Sequence, residues 1–293
     1  SNLLLISSFN VFDNSTALIN CFSSFNFFIS SILFIIDSLS EILDIKKHTD
    51  IEYTFKMSFE GMSKPGQFFQ VSIPKFGEAP ISISGIDNKS VDLTIRKVGK
   101  VTNEIFEKYI GNKLFMRGPY GNGFDVNLYK NKDIIIIAGG TGVSPVRAVI
   151  DYFSEHKNER KDMTVIIGFK SPDDILFKED IEKWKKNTNL ILTVDGADEG
   201  YKENIGLVTK YIPDLKIKDI NETVAIVVGP PAMMRFSIIE LEKIGFKEEN
   251  IWVSYERKMC CGIGKCGHCK IDDVYICLDG PVFNYVKGKT LVD

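Results

Sequence analysis

The chain has 293 residues, long enough for two domains with their own cores and a small appendage. Charged residues make up 26% and the formal net charge is −3, which excludes the basic surface of a nucleic-acid binder. Cysteine is nearly absent outside one short run, which excludes a disulfide-stapled secreted domain and makes a reducing cytoplasm the expected compartment.

Residues 1–37 read as an atypical apolar N-terminal extension. No Lys or Arg precedes Lys46, and no charge falls between Asn14 and Ile36, a stretch as long as a membrane span. Asn14, Ser15, Thr16, Asn20, Ser23, Ser24, Asn26, Ser30 and Ser31 are a heavy polar load for a lipid-facing helix, and no basic segment precedes them as in a signal peptide. The restricted alphabet points to a non-native or non-essential segment, with an anchor and a packed helix as the open alternatives. No membrane association is expected of the rest, and the fold is read from Ser38.

Residues 38–130 are strand-like and punctuated by turns. Ile42–His48, Tyr53–Phe59, Gln67–Ile73, Ile81–Ile86, Val91–Val98 and Lys113–Pro119 are β-propensity runs, separated by Gly61–Gly66, Pro74–Pro80 and Asp87–Lys89. With one helical insert, Asn103–Tyr109, they predict a small antiparallel β-barrel.

The character changes for residues 131–250. Strands Ile134–Ala138, Thr164–Phe169, Leu190–Val194 and Ala225–Val228 alternate with helices Val146–Phe153, Phe177–Lys185, Gly206–Ile212 and Ala232–Ile244. Such alternation predicts a doubly wound parallel sheet, a nucleotide-binding architecture. Gly139-Gly140-Thr141-Gly142 lies between strand and helix, where phosphates can approach the backbone and the helix N-terminus attracts anions. Pro145 suits the first helical turn.

Residues 251–293 begin with a strand, Ile251–Tyr255, and then hold five of the six cysteines within eighteen residues. From Cys261 the spacing is C-x4-C-x2-C-x7-C, through Cys266, Cys269 and Cys277. It resembles the plant-type [2Fe–2S] pattern, three thiolates on a short loop and a fourth further on. Zinc is the alternative, although zinc ribbons favour two C-x2-C pairs set well apart. Gly262, Gly264 and Gly267 let the loop turn N–H groups toward a negatively charged cluster. Cys260 is left without a role. His268, between two ligands, is one imidazole too few for a Rieske site, and His48 and His156 read as structural.

Three segments resemble the ferredoxin–NADP reductase superfamily: Gly118-Pro-Tyr-Gly-Asn-Gly-Phe124, Gly139-Gly-Thr-Gly-Val-Ser-Pro145 and Gly229-Pro-Pro-Ala-Met-Met234. The C-terminal signature, Ser254-Tyr-Glu-Arg-Lys-Met-Cys-Cys261 through Cys277-Leu-Asp-Gly-Pro-Val-Phe283, resembles that of iron–sulfur electron-transfer subunits. These are the NADH-oxidising subunit of anaerobic sulfite reductase, the hydrogenase/sulfur reductase gamma subunit, and the dihydroorotate dehydrogenase partner. The resemblance implies an FAD-binding barrel contacting its cofactor through Pro80, Ile81, Ser82, Ile83, Gly99 and Thr102, with Gly118 and Gly121 at its end. It implies NADH or NADPH at Gly139, Gly140, Thr141, Gly142, Pro145, Gly229, Pro230 and Met233, and a [2Fe–2S] cluster on Cys261, Cys266, Cys269 and Cys277.

Two departures stand out. Ala79 replaces the family's Arg beside the flavin phosphate, with Arg96 or Lys97 as substitute charges. Val228 replaces a Cys common before the Gly-Pro turn, a feature nearer the sulfite reductase and hydrogenase types. In Gly168-Phe-Lys-Ser-Pro-Asp173, Lys170 and Ser171 could accept a ribose 2′-phosphate, Asp173 or Asp174 could oppose one, and plain surface charge is the other reading. Glu256 and Arg257, flanking the cysteine loop, read as an ordinary ion pair, with a partner-docking or flavin-edge pair as the alternative. The implied function is an NAD(P)H-oxidising subunit passing electrons through FAD and the cluster to a terminal reductase docked near the cluster, with siroheme sulfite reductase first and the other two partners as alternatives. A zinc-stapled binding module without enzyme activity is the rival of another class.

Overall fold

The computed structural model describes residues 38–291; the extension at 1–37 and the readings made on it lie outside the described residues. Strands β1 (Ser38–Lys47), β2 (Glu52–Ser58), β3 (Phe68–Ile73), β4 (Gly77–Asp87), β5 (Ser90–Arg96) and β6 (Lys113–Tyr120) close an antiparallel barrel in the order β1-β2-β5-β4-β3-β6. Alternation sorts the faces: Phe55, Met57, Phe69, Val71, Ile83, Leu93 and Ile95 fill the interior. Helix α1 (Lys100–Lys108) is inserted between β5 and β6 and lays Val101 and Ile105 against that core.

The barrel differs from its sequence reading at β4. The stretch Pro74–Pro80 read as a connector, but Gly77–Pro80 are already strand and pair with β3. Pro80 is tolerated because β4 pairs with β5 only from Ile83 onward, so at Pro80 one edge has no ladder to donate to.

Beyond the barrel, β7 (Asp133–Gly139), α2 (Val143–Glu155), β8 (Met163–Phe169), α3 (Lys178–Asn187), β9 (Asn189–Val194), β10 (Asn204–Ile205), β11 (Thr223–Val228), α4 (Pro231–Lys243) and β12 (Ile251–Ser254) follow in turn. The sheet order is β10-β9-β8-β7-β11-β12, all parallel, with one more strand, β15 (Val282–Asn284), added antiparallel beside β12. Both faces are covered, so β7 is a run of four isoleucines whose side chains alternate between two separate cores. The predicted helix Gly206–Ile212 is not formed. Asn204–Ile205 joins the sheet edge, Gly206 turns at φ 131°, and only a 3₁₀ turn, Val208–Tyr211, follows. Between β12 and β15 the chain makes the cysteine loop and a two-stranded ribbon, β13 (Lys270–Ile271) with β14 (Val274–Tyr275). Among the described residues, no helix is long and apolar enough to cross a membrane.

Candidate functional site

The strand order reverses between β7 and β11, and at that point the carboxyl ends of the two strands open a crevice, with Ala138 paired to Val228. Gly139, Gly140, Thr141 and Gly142 leave β7 there, and Gly229 and Pro230 leave β11 beside them. A β-carbon on Gly142 would lie 2.6 Å from the Cα of Gly229, and one on Gly139 would lie 2.5 Å from Sδ of Met233. The structure therefore brings these sequence candidates into direct packing. Pro145 is buried in the first turn of α2. The crevice widens into a cavity of about 890 Å³ lined by Thr141, Gly142, Val228, Gly229 and Pro230 on one side and by Tyr255, Glu256, Arg257 and Tyr285 from the C-terminal segment on the other. At the end of β8, the Ser171 hydroxyl donates to Asp174 at 2.6 Å, so a carboxylate already occupies the hydroxyl that could have met a 2′-phosphate.

On the barrel, Pro80, Ile81 and Ser82 are half-buried on the β4 segment that has only one neighbouring strand, while Ile83 points into the core. Gly99 caps α1, and Oγ1 of Thr102 accepts from the N–H groups of Val98 and Gly99, each at 3.0 Å. That leaves the first-turn N–H groups of Lys100, Val101 and Thr102 outside the helix's own ladder, the arrangement that receives a phosphate. Arg96 pairs with Glu52 at 3.3 Å and Lys97 with Glu107 at 3.5 Å, so neither substitute charge proposed for the missing Arg is left uncommitted. Lys100 stands at the mouth of α1, its ammonium 5.5 Å from the ring centre of Phe76 on the β3–β4 hairpin. The half-buried strand and the open helix start fit a flavin and its pyrophosphate.

The cysteine loop fits a binuclear cluster. Its four thiols stand as two pairs, Cys261 with Cys266 toward the surface and Cys269 with Cys277 buried. Two donors per iron is the arrangement of such a cluster. Gly262 and Gly264 have φ 75° and 68°, and this turns N–H groups inward. Gly264 donates to Sγ of Cys277 at 3.2 Å, and Lys265 and Cys266 donate to Sγ of Cys261 at 3.3 and 3.4 Å. Burial alone would raise the Cys261 thiol, but the N–H groups of Cys266, Lys265 and Ile263 outweigh it and bring its pKa to about 6. The deeper Cys277 is pushed up to about 12 by burial and by its neighbour Cys269.

Several contacts around the site escape sequence reading. Asn122, in the motif that ends the barrel, donates from Nδ2 to the carbonyls of Asp279 and Val282, and its N–H donates to Gly280. A β-carbon on Gly121 would strike Pro281 at 2.6 Å. The Gly118–Phe124 motif thus grips the neck of the cysteine loop. Arg117, on β6, donates to the carbonyls of Cys260 and Cys261. The Glu256 side chain reaches the cavity surface, yet the protein packed around it pushes its carboxyl above the usual carboxylate range, and among the described residues it makes no ion pair with Arg257. None of these contacts has a local signal, because each partner lies more than 100 residues away or depends on how the loop is folded.

Comparison with known proteins agrees with this layout. The model of the oxidoreductase NAD-binding domain matches residues 136–238, and that of the iron–sulfur cluster binding domain of dihydroorotate dehydrogenase B matches residues 256–287. Sulfhydrogenase 2 subunit gamma of Pyrococcus furiosus is 36% identical over 272 residues, covering 84% of this chain and 94% of the relative. The probable dihydroorotate dehydrogenase B (NAD(+)) electron transfer subunit of the same organism is 32% identical, covering 87% of this chain and 91% of the relative. A chain of the NADH-dependent reduced ferredoxin–NADP oxidoreductase superimposes with a TM-score of 0.71 at 23% identity, over 85% of this chain and 89% of that one. A ferredoxin–NADP+ reductase from Neisseria gonorrhoeae with bound FAD and NADP gives a TM-score of 0.63 at 14% identity, over 74% of this chain and 97% of that one. At those identities, the two structures speak to the fold alone.

Proposed function

This chain belongs to the family of oxidoreductase electron-transfer subunits that joins a ferredoxin–NADP reductase-like fold to an iron–sulfur domain, and we propose that it oxidises NADH and delivers single electrons to a partner subunit. The observation that carries this reading is the placement of a nucleotide crevice, a half-open barrel strand and two thiol pairs around one C-terminal segment. Bound in these places, FAD would convert a two-electron donor into one-electron steps and a [2Fe–2S] cluster would relay single electrons. The chain's own part is to hold and orient. Gly139–Gly142 and Gly229 admit the pyrophosphate, Pro80–Ser82 back the flavin ring, and Cys261, Cys266, Cys269 and Cys277 hold the iron. The Asp174 carboxylate on Ser171 favours NADH over NADPH.

For the partner, the 36% identity to sulfhydrogenase gamma subunits weighs toward a hydrogenase/sulfur reductase-type complex. Siroheme sulfite reductase, first in the sequence reading, remains the second candidate: the C-terminal signature is shared by all three subunit types, and Val228 is nearer both the sulfite reductase and the hydrogenase types than the dihydroorotate dehydrogenase partner. Both place the terminal chemistry on another subunit, and a reducing cytoplasm suits either. The test is anaerobic purification. Flavin absorbance with cluster bands bleached by NADH is expected, and a colourless, zinc-containing protein overturns the proposal. Co-purification from the native cell then names the partner.

A further inference from the structure

The barrel places one cation behind the cysteine loop. Arg117 lies near the end of β6 with its side chain 11% exposed. Nη1 donates to the carbonyl of Cys261 at 2.6 Å, and Nη2 donates to the carbonyl of Cys260. The guanidinium lies 5.7 Å from the ring centre of Tyr120, and that ring fills the space where a β-carbon on Gly262 would fall, 2.6 Å away. Glu78, on the strand expected to back the flavin, meets Nη2 at 2.5 Å. One charge thus joins the flavin-side strand to the peptides of the first cluster ligand.

We propose that Arg117 is a positioning residue that fixes the cluster loop on the barrel and sets how readily the cluster takes an electron, with Glu78 opposing it. The inference rests on reading the four cysteines as cluster ligands. A thiolate-ligated cluster gains negative charge on reduction, so a poorly solvated cation nearby favours the reduced form and a carboxylate on that cation weakens the effect. The bonds to the carbonyls act in the same direction. In a planar trans peptide, N–H points opposite to C=O, so a carbonyl of Cys261 drawn toward Arg117 sends the Gly262 N–H away from it.

The experiment is a potentiometric titration of the anaerobically purified full chain, with the cluster followed by electron paramagnetic resonance and the flavin by absorbance. Arg117→Met is expected to lower the reduced-to-oxidised ratio of the cluster about tenfold at a fixed potential, a shift of ~59 mV for a one-electron couple. Flavin content should be unchanged. Glu78→Gln should shift the cluster the opposite way, and Arg117→Lys should restore most of the parent value. Unchanged midpoints, or shifts of the same sign in Arg117→Met and Glu78→Gln, overturn the inference. If Arg117→Met does not retain iron, Glu78→Gln decides alone: no upward shift overturns it. A parent protein without iron overturns the functional reading itself before any variant is made.

Discussion

Glu256 stands in the wall of the cavity onto which Gly142 and Gly229 open, and burial raises its carboxyl. A carboxyl with a higher pKa folded than unfolded stabilises the fold fully only below its unfolded value, about 4.3, and that stabilisation is lost as pH rises through the folded value. Above neutral pH the folded chain carries that anion on the wall of the cavity, among protein groups that solvate it less well than bulk water. Glu256→Gln should therefore raise the urea midpoint above neutral pH and leave it unchanged at about pH 4 or below. A parent more stable than the variant at alkaline pH would show that the carboxylate has a partner. Cys261 and Gly139–Gly142 stood out as candidates from spacing because the pattern that marks them lies within a few residues. Glu256 did not, since the charge expected to pair with it was adjacent in sequence and its environment was not.

At the scale of elements, the barrel and the nucleotide domain meet along a polar seam. Arg147 of α2 donates to Asp92 of β5 at 2.8 Å, to the carbonyl of Ser84 on β4 at 3.0 Å and to Asp180 of α3 at 3.0 Å. Removing one partner of a largely buried ion pair costs ~3–5 kcal/mol, so Arg147→Ala should lower thermal stability by several degrees, read by calorimetry. Beside it, His48 Nδ1 accepts from the Phe177 N–H at 3.3 Å, which puts its proton on Nε2, 2.7 Å from Oγ1 of Thr54. Burial first, then Lys46 and Arg147, lowers the His48 pKa to about 4. With a depressed folded value, the stabilisation is present above the unfolded value of about 6.5 and is lost as pH falls toward 4. His48→Gln should flatten the acid limb of the stability curve between those values; an unchanged slope would place the titrating group elsewhere. Hydrophobic periodicity made the strands legible, but not which strands are neighbours. Pro80 therefore read as a breaker, and Gly206–Ile212, apolar at helical spacing, read as a helix that the sheet edge pre-empts.

At the scale of the molecule, the order of modules was legible and their joints were not. Barrel, parallel sheet and cysteine loop each announce themselves in local pattern, whereas Arg117, Asn122 and Arg147 act across 33 to 160 residues. The Cys266 thiol is exposed and belongs to the outer pair, away from the packed core. Cys266→Ser should abolish the cluster absorbance and leave NADH-dependent bleaching of the flavin intact; loss of both would mean that the loop supports the flavin site.

The cysteine loop leaves the sheet at β12 and returns at β15, its immediate neighbour, with Ser254 opposite Val282 and the Tyr255 N–H bonded to the Pro281 carbonyl at 2.9 Å. Its two ends are pinned one strand apart, and Asn122 clasps the same neck from the barrel side. Anchored in this way at both ends, the loop is held against swinging as a unit. Electron passage across it should then proceed by tunnelling over a fixed gap, and adding glycerol to thicken the solvent should leave its rate unchanged.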